Sequence, residues 1–356
     1  MREKDLEKLR KEIDKIDDEI LRLLNKRGKL VREVGKLKVK EKISYFDPTR
    51  QAKILERLKE KNKGPYPYKA IENIFKEIFS ASIALEKSLS IGFLGDEGSF
   101  THQAAIKKFG KSLKFLSYET IPDIFEAVSK EWISYGVVPV ENSTGGMVMR
   151  TLDMFLEYDL NIVGEVILNI EHHLISFSKK LENIKKIYSH PQAFAQCKKW
   201  IRENLPKVKL IEVPHTSYGV KLLSEEKNTA AIGSELSAEI YKVPILYRSI
   251  QDFNNNQTRF LIIGKGIPAR GPKNKTSIVL SIADRVGALF EILMIFKIYN
   301  INLKKIESYP NKLQPWQYVF FIDFEGHIEE KIIKQSLEEL REKCSYFKIL
   351  GAYPVD

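Results

Sequence analysis

The segment SIGFLGDEGSFTHQAAIKKF (90–109) decides the fold class of the largest part of the chain. Its first five residues form an apolar run typical of a buried strand, and Gly95 and Gly98 end that run before a helical segment begins at Thr101. The same alternation of strand, loop and helix recurs as far as residue 264, which indicates an α/β domain with largely parallel strands. Ligands of such sheets bind beyond the carboxyl ends of the strands, so the loops that follow strands are candidate sites.

The sequence before this segment predicts three helices. Residues 3–39 carry apolar side chains at three- and four-residue steps, which predicts one helix of about 55 Å. Because a small domain cannot cover a helix of that length, we expect a helix of another subunit to pack on it. After a break at 43–46, Asp47 and Pro48 suit the start of a second helix, and a third is predicted at 69–87.

The composition and the pattern of predicted elements change again after residue 264. A polar stretch rich in glycine and proline, GKGIPARGPKN (264–274), predicts a linker. The pattern that follows is strand, helix, strand, strand, helix, strand, which is the ferredoxin-like order βαββαβ. The chain is therefore predicted to be a multidomain α and α/β protein. We expect domain boundaries at 1–88, 89–268 and 274–356.

Composition and charge limit the functional classes. With 43% hydrophobic and 29% charged residues among 356, the chain has the balance of a soluble globular protein. No apolar run is long enough for a bilayer, and the charged amino terminus does not resemble a signal peptide, so we expect a cytoplasmic protein without membrane partners. Cys197 and Cys344 lie far apart without metal-ligand spacing, which excludes a disulfide framework and a cysteine zinc site. No metal or other cofactor is expected. The net charge of +11 favours polyanionic partners but does not identify one.

The helical segment resembles the all-helical chorismate mutases over residues 6–86. The residues that carry the resemblance are Arg10, Arg27, the turn Val34-Gly35-Lys36, Lys38, Asp47 and Arg50. The family rearranges chorismate to prephenate in a pericyclic step, which requires a held conformer and stabilisation of charge on the ether oxygen. The resemblance implies that Arg10 of a second subunit, Arg27 and Arg50 hold the two carboxylates of the substrate and that Lys38 donates to the ether oxygen.

Further positions of the mutase site follow from the same resemblance. It implies that Asp47 and Ser82 position hydroxyl and carboxylate groups of the substrate. Gln51 stands where many members have a glutamate that binds the substrate hydroxyl, and an amide can also do this. Glu86 stands where many members have a glutamine that donates to the ether oxygen. A carboxylate cannot donate there unless it is protonated, so Glu86 is either a protonated donor or an exposed residue of a shifted helix.

Five motifs in the α/β segment together resemble prephenate dehydratase over about residues 90–265. In chain order they lie at 92–100, 138–143, 189–197, 233–235 and 258–260. The resemblance implies two α/β lobes, as in type II periplasmic binding proteins, with the site in the cleft. The family expels the ring hydroxyl of prephenate as water and a carboxylate as carbon dioxide, leaving phenylpyruvate.

The resemblance implies that Thr258 is the catalytic hydrogen-bond donor near the leaving hydroxyl. Further expected substrate-binding residues of this site are Ser99, Glu141, Asn142, Ser189, Gln192, Gln196 and Arg259. Arg259 is interpreted either as an anchor for a substrate carboxylate or as a structural brace. Glu141 and His190 have the alternative of capping turns, and His172 and His173 are expected to be structural.

The carboxyl-terminal segment resembles the ACT domain of prephenate dehydratases. The motifs DRVGAL (284–289) and IESYP (306–310) carry the resemblance, and WQYVFFIDFEGH (316–327) strengthens it. The resemblance implies that phenylalanine binds between subunits. The expected effector-binding residues are Gly287, Ala288, Leu289, Glu307, Ser308 and Pro310. Tyr309 stands where an arginine is usual, which affects the expected affinity for the effector.

Together these resemblances predict a bifunctional chorismate mutase–prephenate dehydratase that is inhibited by L-phenylalanine and forms a homo-oligomer, a dimer or a tetramer. One rival hypothesis is an amino-acid-responsive regulator that binds nucleic acid through its basic helical arm. No helix-turn-helix pattern or dense basic cluster supports it. A second rival is a solute-binding module on the two-lobed fold, but no export signal accompanies it.

Overall fold

The structure, a computed structural model, describes residues 2–41, 45–253, 255–310 and 318–355 and divides the chain into two compact units. The first unit consists of Met1–Asp47, Gly64–Leu89 and Phe109–Lys114, and the second contains all other residues. Part of the predicted break at 43–46 and Trp316 of the predicted ACT motif lie outside the described residues.

The three predicted helices are present: α1 (Arg2–Glu41), α2 (Pro48–Lys61) and α3 (Tyr68–Glu86). In the first unit α3 packs along α1, burying Phe79 and Ile83. The 40 residues of α1 give a helix of about 60 Å, and its large apolar side chains are exposed, as expected for a helix that exceeds its own domain. Helix α2 belongs to the second unit.

The second unit contains two α/β lobes, each built on its own sheet. The elements of the first lobe are β1 (Ser90–Leu94), α4 (Phe100–Phe109), β2 (Lys114–Tyr118), α5 (Ile121–Ser129), β3 (Tyr135–Asn142), β4 (Gly146–Met147), α6 (Met149–Glu157) and β5 (Asn161–Asn169). The elements of the second lobe are β6 (His173–Ile175), β7 (Lys186–Ser189), α7 (Pro191–Gln196), α8 (Lys198–Asn204), β8 (Lys209–Glu212), α9 (Thr216–Lys221), β9 (Thr229–Gly233), α10 (Glu235–Tyr241) and β10 (Ile245–Tyr247).

The chain then returns to the first lobe as β11 (Gln257–Gly264), which inserts between β3 and β5. The sheet order is β2-β1-β3-β11-β5, with β4 beside β3. Strand β11 is antiparallel to both neighbours, so the expectation of largely parallel strands is wrong for this sheet. The second sheet, β10-β6-β9-β7-β8, is also mixed, because β6 runs antiparallel to β9 and β10.

The last segment has the predicted βαββαβ order. Its elements are β12 (Asn274–Ser281), α11 (Ala288–Ile298), β13 (Leu303–Pro310), β14 (Tyr318–Glu325), α12 (Lys331–Lys343) and β15 (Tyr346–Pro354). The sheet order β13-β14-β12-β15 is antiparallel throughout. One face of this sheet packs on α11 and α12, whereas Val279, Phe321 and Tyr353 join the hydrophobic core of the first lobe. The ferredoxin-like segment and the first lobe therefore stabilise each other.

Helix α2 packs against β15, and Thr49 near its start donates a hydrogen bond to the carbonyl of Ala269. Among the described residues, no helix is long and apolar enough to cross a membrane.

Candidate active sites

The expected mutase site has a buried ion pair between α1 and α3. The Nζ atom of Lys38 lies 2.8 Å from Oε2 of Glu86, and only 8% of the Glu86 side chain is exposed. Gly35 makes this approach possible, because a Cβ atom there would lie 3.2 Å from the Cα atom of Glu86. Lys38 also donates to the carbonyl oxygen of Tyr45 at 3.2 Å, a contact that the sequence did not predict. Glu86 therefore faces Lys38, and the alternative of an exposed Glu86 is wrong.

Arg27 lies in the same unit and contacts α3 one turn away from that pair. Its Nη1 donates to Oγ of Ser82, and its guanidinium lies 6.0 Å from the centre of the Phe79 ring. Burial lowers the pKa of Arg27, and the charge of Glu86 opposes this effect. A partly desolvated cation that faces the same helix as Lys38 is suited to bind an anionic substrate.

The structure therefore brings together Arg27, Lys38, Ser82 and Glu86. Arg10 is exposed on α1, and Asp47 is exposed at the end of the first unit. Arg50 and Gln51 lie on α2, in the second unit.

The expected dehydratase site is a cleft lined by both lobes of the second unit. Five of the predicted residues line it: Ser99, Asn142, Gln192, Gln196 and Thr258. Three histidines that were not predicted as site residues also line it: His172, His190 and His215. The spacing of the motifs along the sequence could not reveal which histidines face the cleft.

Thr258 and Asn142 face each other across the ladder of β11 and β3. The Nδ2 atom of Asn142 donates to Oγ1 of Thr258 and to Oδ1 of Asn256, both at 2.8 Å. Phe260, the next residue of β11 on the cleft side, closes one wall of the site. The cleft thus presents a nearly buried threonine hydroxyl whose neighbour is a fixed amide.

Three predicted substrate-binding residues do not line the cleft. Ser189 is fully buried and donates to the carbonyl of Ile232 at 2.8 Å, so it joins β7 to β9. Glu141 forms an ion pair with Lys305 of β13. Arg259 points to the opposite side of β11 from Thr258, because successive strand side chains alternate between faces. In this structure the three side chains contact structural partners rather than the cleft.

Arg259 is instead the centre of a buried polar network between the first lobe and the ferredoxin-like sheet. It donates to Glu165 of β5 at 2.7 Å, to Asp323 of β14 at 2.5 Å and to the hydroxyl of Tyr353 at 3.0 Å. Lys275 provides the second cation, 2.6 Å from Glu165. Two cations therefore balance two carboxylates, which favours the interpretation of Arg259 as a structural brace.

Burial lowers the pKa of two histidines that line the cleft, His172 and His190. It lowers the pKa of His172 to about 4, and Nε2 of its ring lies 2.7 Å from Oε1 of Gln196. His190 accepts a hydrogen bond from the backbone N–H of Gln192, so it caps α7, as one of the two sequence interpretations expected. Among the described residues no group of three or more potential ligands could hold a metal ion.

The expected effector residues lie on two segments at the surface of the ferredoxin-like part. Gly287 precedes α11 with a φ of +83°, a left-handed conformation that favours glycine, and the loop before it is exposed. Ala288 is buried and Leu289 half-buried. The other three lie on the edge strand β13, with Glu307 half-buried and Ser308 and Pro310 exposed. Tyr309 is buried and donates to Asp153 of α6.

Comparison with known proteins identifies the family. Models of chorismate mutase type II, prephenate dehydratase and the ACT domain match residues 9–87, 91–267 and 276–342, in that order. The bifunctional chorismate mutase/prephenate dehydratase of Aquifex aeolicus is 45% identical over 98% of both chains. The enzyme of the same description from Pseudomonas aeruginosa is 40% identical over 98% of this chain and 97% of its own. The chain belongs to the bifunctional chorismate mutase/prephenate dehydratases.

A solved structure supports the same assignment for the second unit. The prephenate dehydratase of Arthrobacter aurescens in complex with L-Phe is 30% identical, with a TM-score of 0.69 over 75% of this chain and 90% of that one. The chain thus has a helical chorismate mutase domain, a two-lobed dehydratase domain and an ACT domain. It is an enzyme with chorismate mutase and prephenate dehydratase activities, and the regulator hypothesis is not favoured.

Proposed function

We propose that this bifunctional enzyme converts chorismate to prephenate in its helical part and prephenate to phenylpyruvate in the cleft, under feedback inhibition by L-phenylalanine. The observation that carries the proposal is the similarity over almost the full length to bifunctional relatives, with Lys38 and Glu86 paired and Thr258 in the cleft. We propose domain boundaries at 1–88, 89–268 and 274–356.

For the mutase step, the proposed substrate-binding residues all have charged or polar side chains. They are Arg10 of the second subunit, Arg27, Lys38, Asp47, Arg50, Gln51, Ser82 and Glu86. Arg27 and Lys38 supply two partly desolvated cations for the carboxylates and the ether oxygen. Arg50 and Gln51 are retained on the sequence resemblance alone.

For the dehydratase step, Thr258 donates a hydrogen bond to the leaving hydroxyl. Ser99, Asn142, Gln192 and Gln196 bind the remainder of prephenate, because they line the same cleft. Loss of carbon dioxide supplies the electron pair that expels the hydroxyl, and formation of the aromatic ring drives the step. The protein therefore needs to hold the substrate and supply hydrogen bonds rather than a nucleophile.

For regulation, phenylalanine binds at Gly287–Leu289 and Glu307–Pro310 of paired ACT domains. The Arthrobacter aurescens relative was solved with L-Phe, which supports this choice of ligand. Two ion pairs join the ACT domain to residues beside the catalytic ones: Lys305 to Glu141, which precedes Asn142, and Asp323 to Arg259, which follows Thr258. A shift of the ACT sheet on binding phenylalanine would therefore move the two strands that carry Asn142 and Thr258.

For assembly, the enzyme is a cytoplasmic homo-oligomer, at least a dimer through α1. Exposed apolar side chains on α1 follow a three-and-four spacing, which is the pattern of two paired helices. The residues that begin this pattern are Leu6, Leu9, Ile13, Ile16, Ile20 and Leu23. A second copy of α1 is the partner that fits this face.

The test is to supply chorismate and follow prephenate and phenylpyruvate, with and without phenylalanine. We expect prephenate first, then phenylpyruvate, with the second step slowed by phenylalanine. If chorismate is not consumed, or if prephenate is never converted, the proposal is wrong. Salt-sensitive retention of DNA in the absence of both activities would support the regulator instead.

A further inference from the structure

A chain of hydrogen bonds leads from the second lobe across the cleft to Thr258. His172 contacts Gln196 at 2.7 Å, Gln196 contacts Thr144 at 3.0 Å, and Thr144 contacts Asn142 at 2.7 Å. Asn142 then contacts Thr258 at 2.8 Å. Neither Thr144 nor His172 was among the predicted site residues, and both act on Thr258 only through other side chains.

The direction of the hydrogen bond at Thr258 is fixed by the backbone. The N–H groups of Thr144 and Gly145 lie 3.1 Å and 2.8 Å from the same side-chain atom of Asn142. Because a backbone N–H can only donate, that atom is the oxygen, and the amide nitrogen of Asn142 faces Thr258. The nitrogen has no lone pair to offer, so the Thr258 hydroxyl accepts from it and retains its own proton.

The directions of the other hydrogen bonds are fixed in the same way. The amide oxygen of Asn142 only accepts, so the Thr144 hydroxyl donates to it and must accept from Gln196. The Gln196 atom that faces Thr144 is therefore its nitrogen, and its oxygen faces His172. Nε2 of His172 then carries the proton. Every hydrogen bond in the chain points from His172 toward Thr258.

The environment supports this single arrangement. His172 is 2% exposed, and burial lowers its pKa to about 4, so the ring is neutral and has one N–H to donate. The described residues give its other ring nitrogen, Nδ1, no hydrogen-bond partner, which is consistent with a proton on Nε2 alone. None of the five side chains that form these hydrogen bonds carries a charge that would reverse the direction of donation.

We propose that Thr144 and His172 are positioning residues, which act through Gln196 and Asn142 to keep the Thr258 hydroxyl proton free for the leaving hydroxyl of prephenate. The proposal rests on the proposed role of Thr258 in dehydration. Because Gln196 belongs to the second lobe and Thr144 to the first, the contact between them ties this donor arrangement to the relative position of the lobes.

The first test compares Thr144→Val with Thr144→Ser in the full-length enzyme. Valine has nearly the shape of threonine but no hydroxyl, whereas serine retains it. We expect Thr144→Val to lower the dehydratase kcat by about tenfold, the effect of one lost hydrogen bond, with KM changed by less than about twofold. Thr144→Ser should recover most of the rate. An equal loss in both variants would show that shape, not the hydroxyl, matters, and would overturn the proposal.

The second test does not depend on folding of a Thr144 variant. In Asn142→Asp the group that faces Thr258 is an oxygen that accepts, so the threonine would donate its proton there instead of to the substrate. We expect the dehydratase kcat of Asn142→Asp to fall to that of Thr258→Val, while mutase activity in the same chain reports that the protein is intact. In a Thr258→Val background, Thr144→Val should cause no further loss.

Two outcomes of these tests distinguish failure of the proposed role of Thr258 from failure of the hydrogen-bond chain. If Thr258→Val retains the wild-type rate, the proposed role of Thr258 fails and the proposal fails with it. If Thr258→Val is inactive but Asn142→Asp retains the wild-type rate, only the hydrogen-bond chain is wrong.

Discussion

Replacement of Arg259 by methionine distinguishes the two interpretations of this residue, a structural brace and an anchor for a substrate carboxylate. Its side chain is 13% exposed, and its partners Glu165 and Asp323 are 9% and 12% exposed. In Arg259→Met both carboxylates lose a charged donor and remain buried. Glu165 keeps Lys275, and Asp323 keeps the hydroxyl of Ser277 at 2.6 Å.

The expected loss of stability follows from these remaining partners. Removal of one member of a buried ion pair costs about 3–5 kcal/mol, and the retained contacts favour the lower end, about 3 kcal/mol. Arg285 is the matched control, because it forms an ion pair with Glu291 at the surface of the same unit. Arg285→Met should leave the free energy of unfolding nearly unchanged, because an ion pair exposed to solvent contributes little to stability.

The assay is urea unfolding of the full-length enzyme, combined with the KM for prephenate. We expect Arg259→Met to lower the unfolding midpoint clearly, Arg285→Met to leave it nearly unchanged, and the KM to change little in both. Arg259→Lys should lie between, because one ammonium group cannot bridge both carboxylates in the way a guanidinium does. A large rise in KM without loss of stability would show that Arg259 anchors the substrate carboxylate after all.

Three further predictions concern pH, the mutase site and the subunit arrangement. Burial lowers the pKa of His102 and His172 to about 4 from 6.5, so both take up protons on unfolding. Their contribution to stability is fully present above pH 6.5 and is lost as the pH falls toward 4, and a variant with glutamine at both positions should show a shallower loss in acid unfolding. Glu86→Gln should retain or raise mutase kcat at neutral and alkaline pH, because an amide donates at every pH; a tenfold loss would contradict the donor role. Mixing inactive Arg10→Ala and Arg27→Ala chains should restore up to about a quarter of wild-type mutase activity, and no recovery after subunit exchange would contradict a shared site.

The elements that the sequence predicted well are those with a strong local pattern. The three- and four-residue spacing of α1 and the βαββαβ order of the ACT domain are both confirmed. The position of β11 could not be predicted in this way. It pairs with β5, about ninety residues earlier in the chain, and nothing in a local pattern encodes that partner or its antiparallel direction.

The site residues show the same limit at the level of single side chains. The motifs assign Thr258 and Asn142 to one site, and both line the cleft. Their neighbours in the same motifs, Arg259 after Thr258 and Glu141 before Asn142, face the other side of the strands. Which side a residue faces depends on strand register and on the irregularity between Arg259 and Phe260, which emerge only from the assembled sheet. Sequence motifs also gave no reason to expect that the ACT domain shares a core with the first lobe.

The most direct test of the central claim, two activities carried by separate residue sets in one chain, is a time course of Thr258→Val supplied with chorismate. The account predicts that chorismate disappears at the wild-type rate and that prephenate accumulates without phenylpyruvate. Loss of both activities while circular dichroism shows an intact fold, or formation of phenylpyruvate at the wild-type rate, would contradict it.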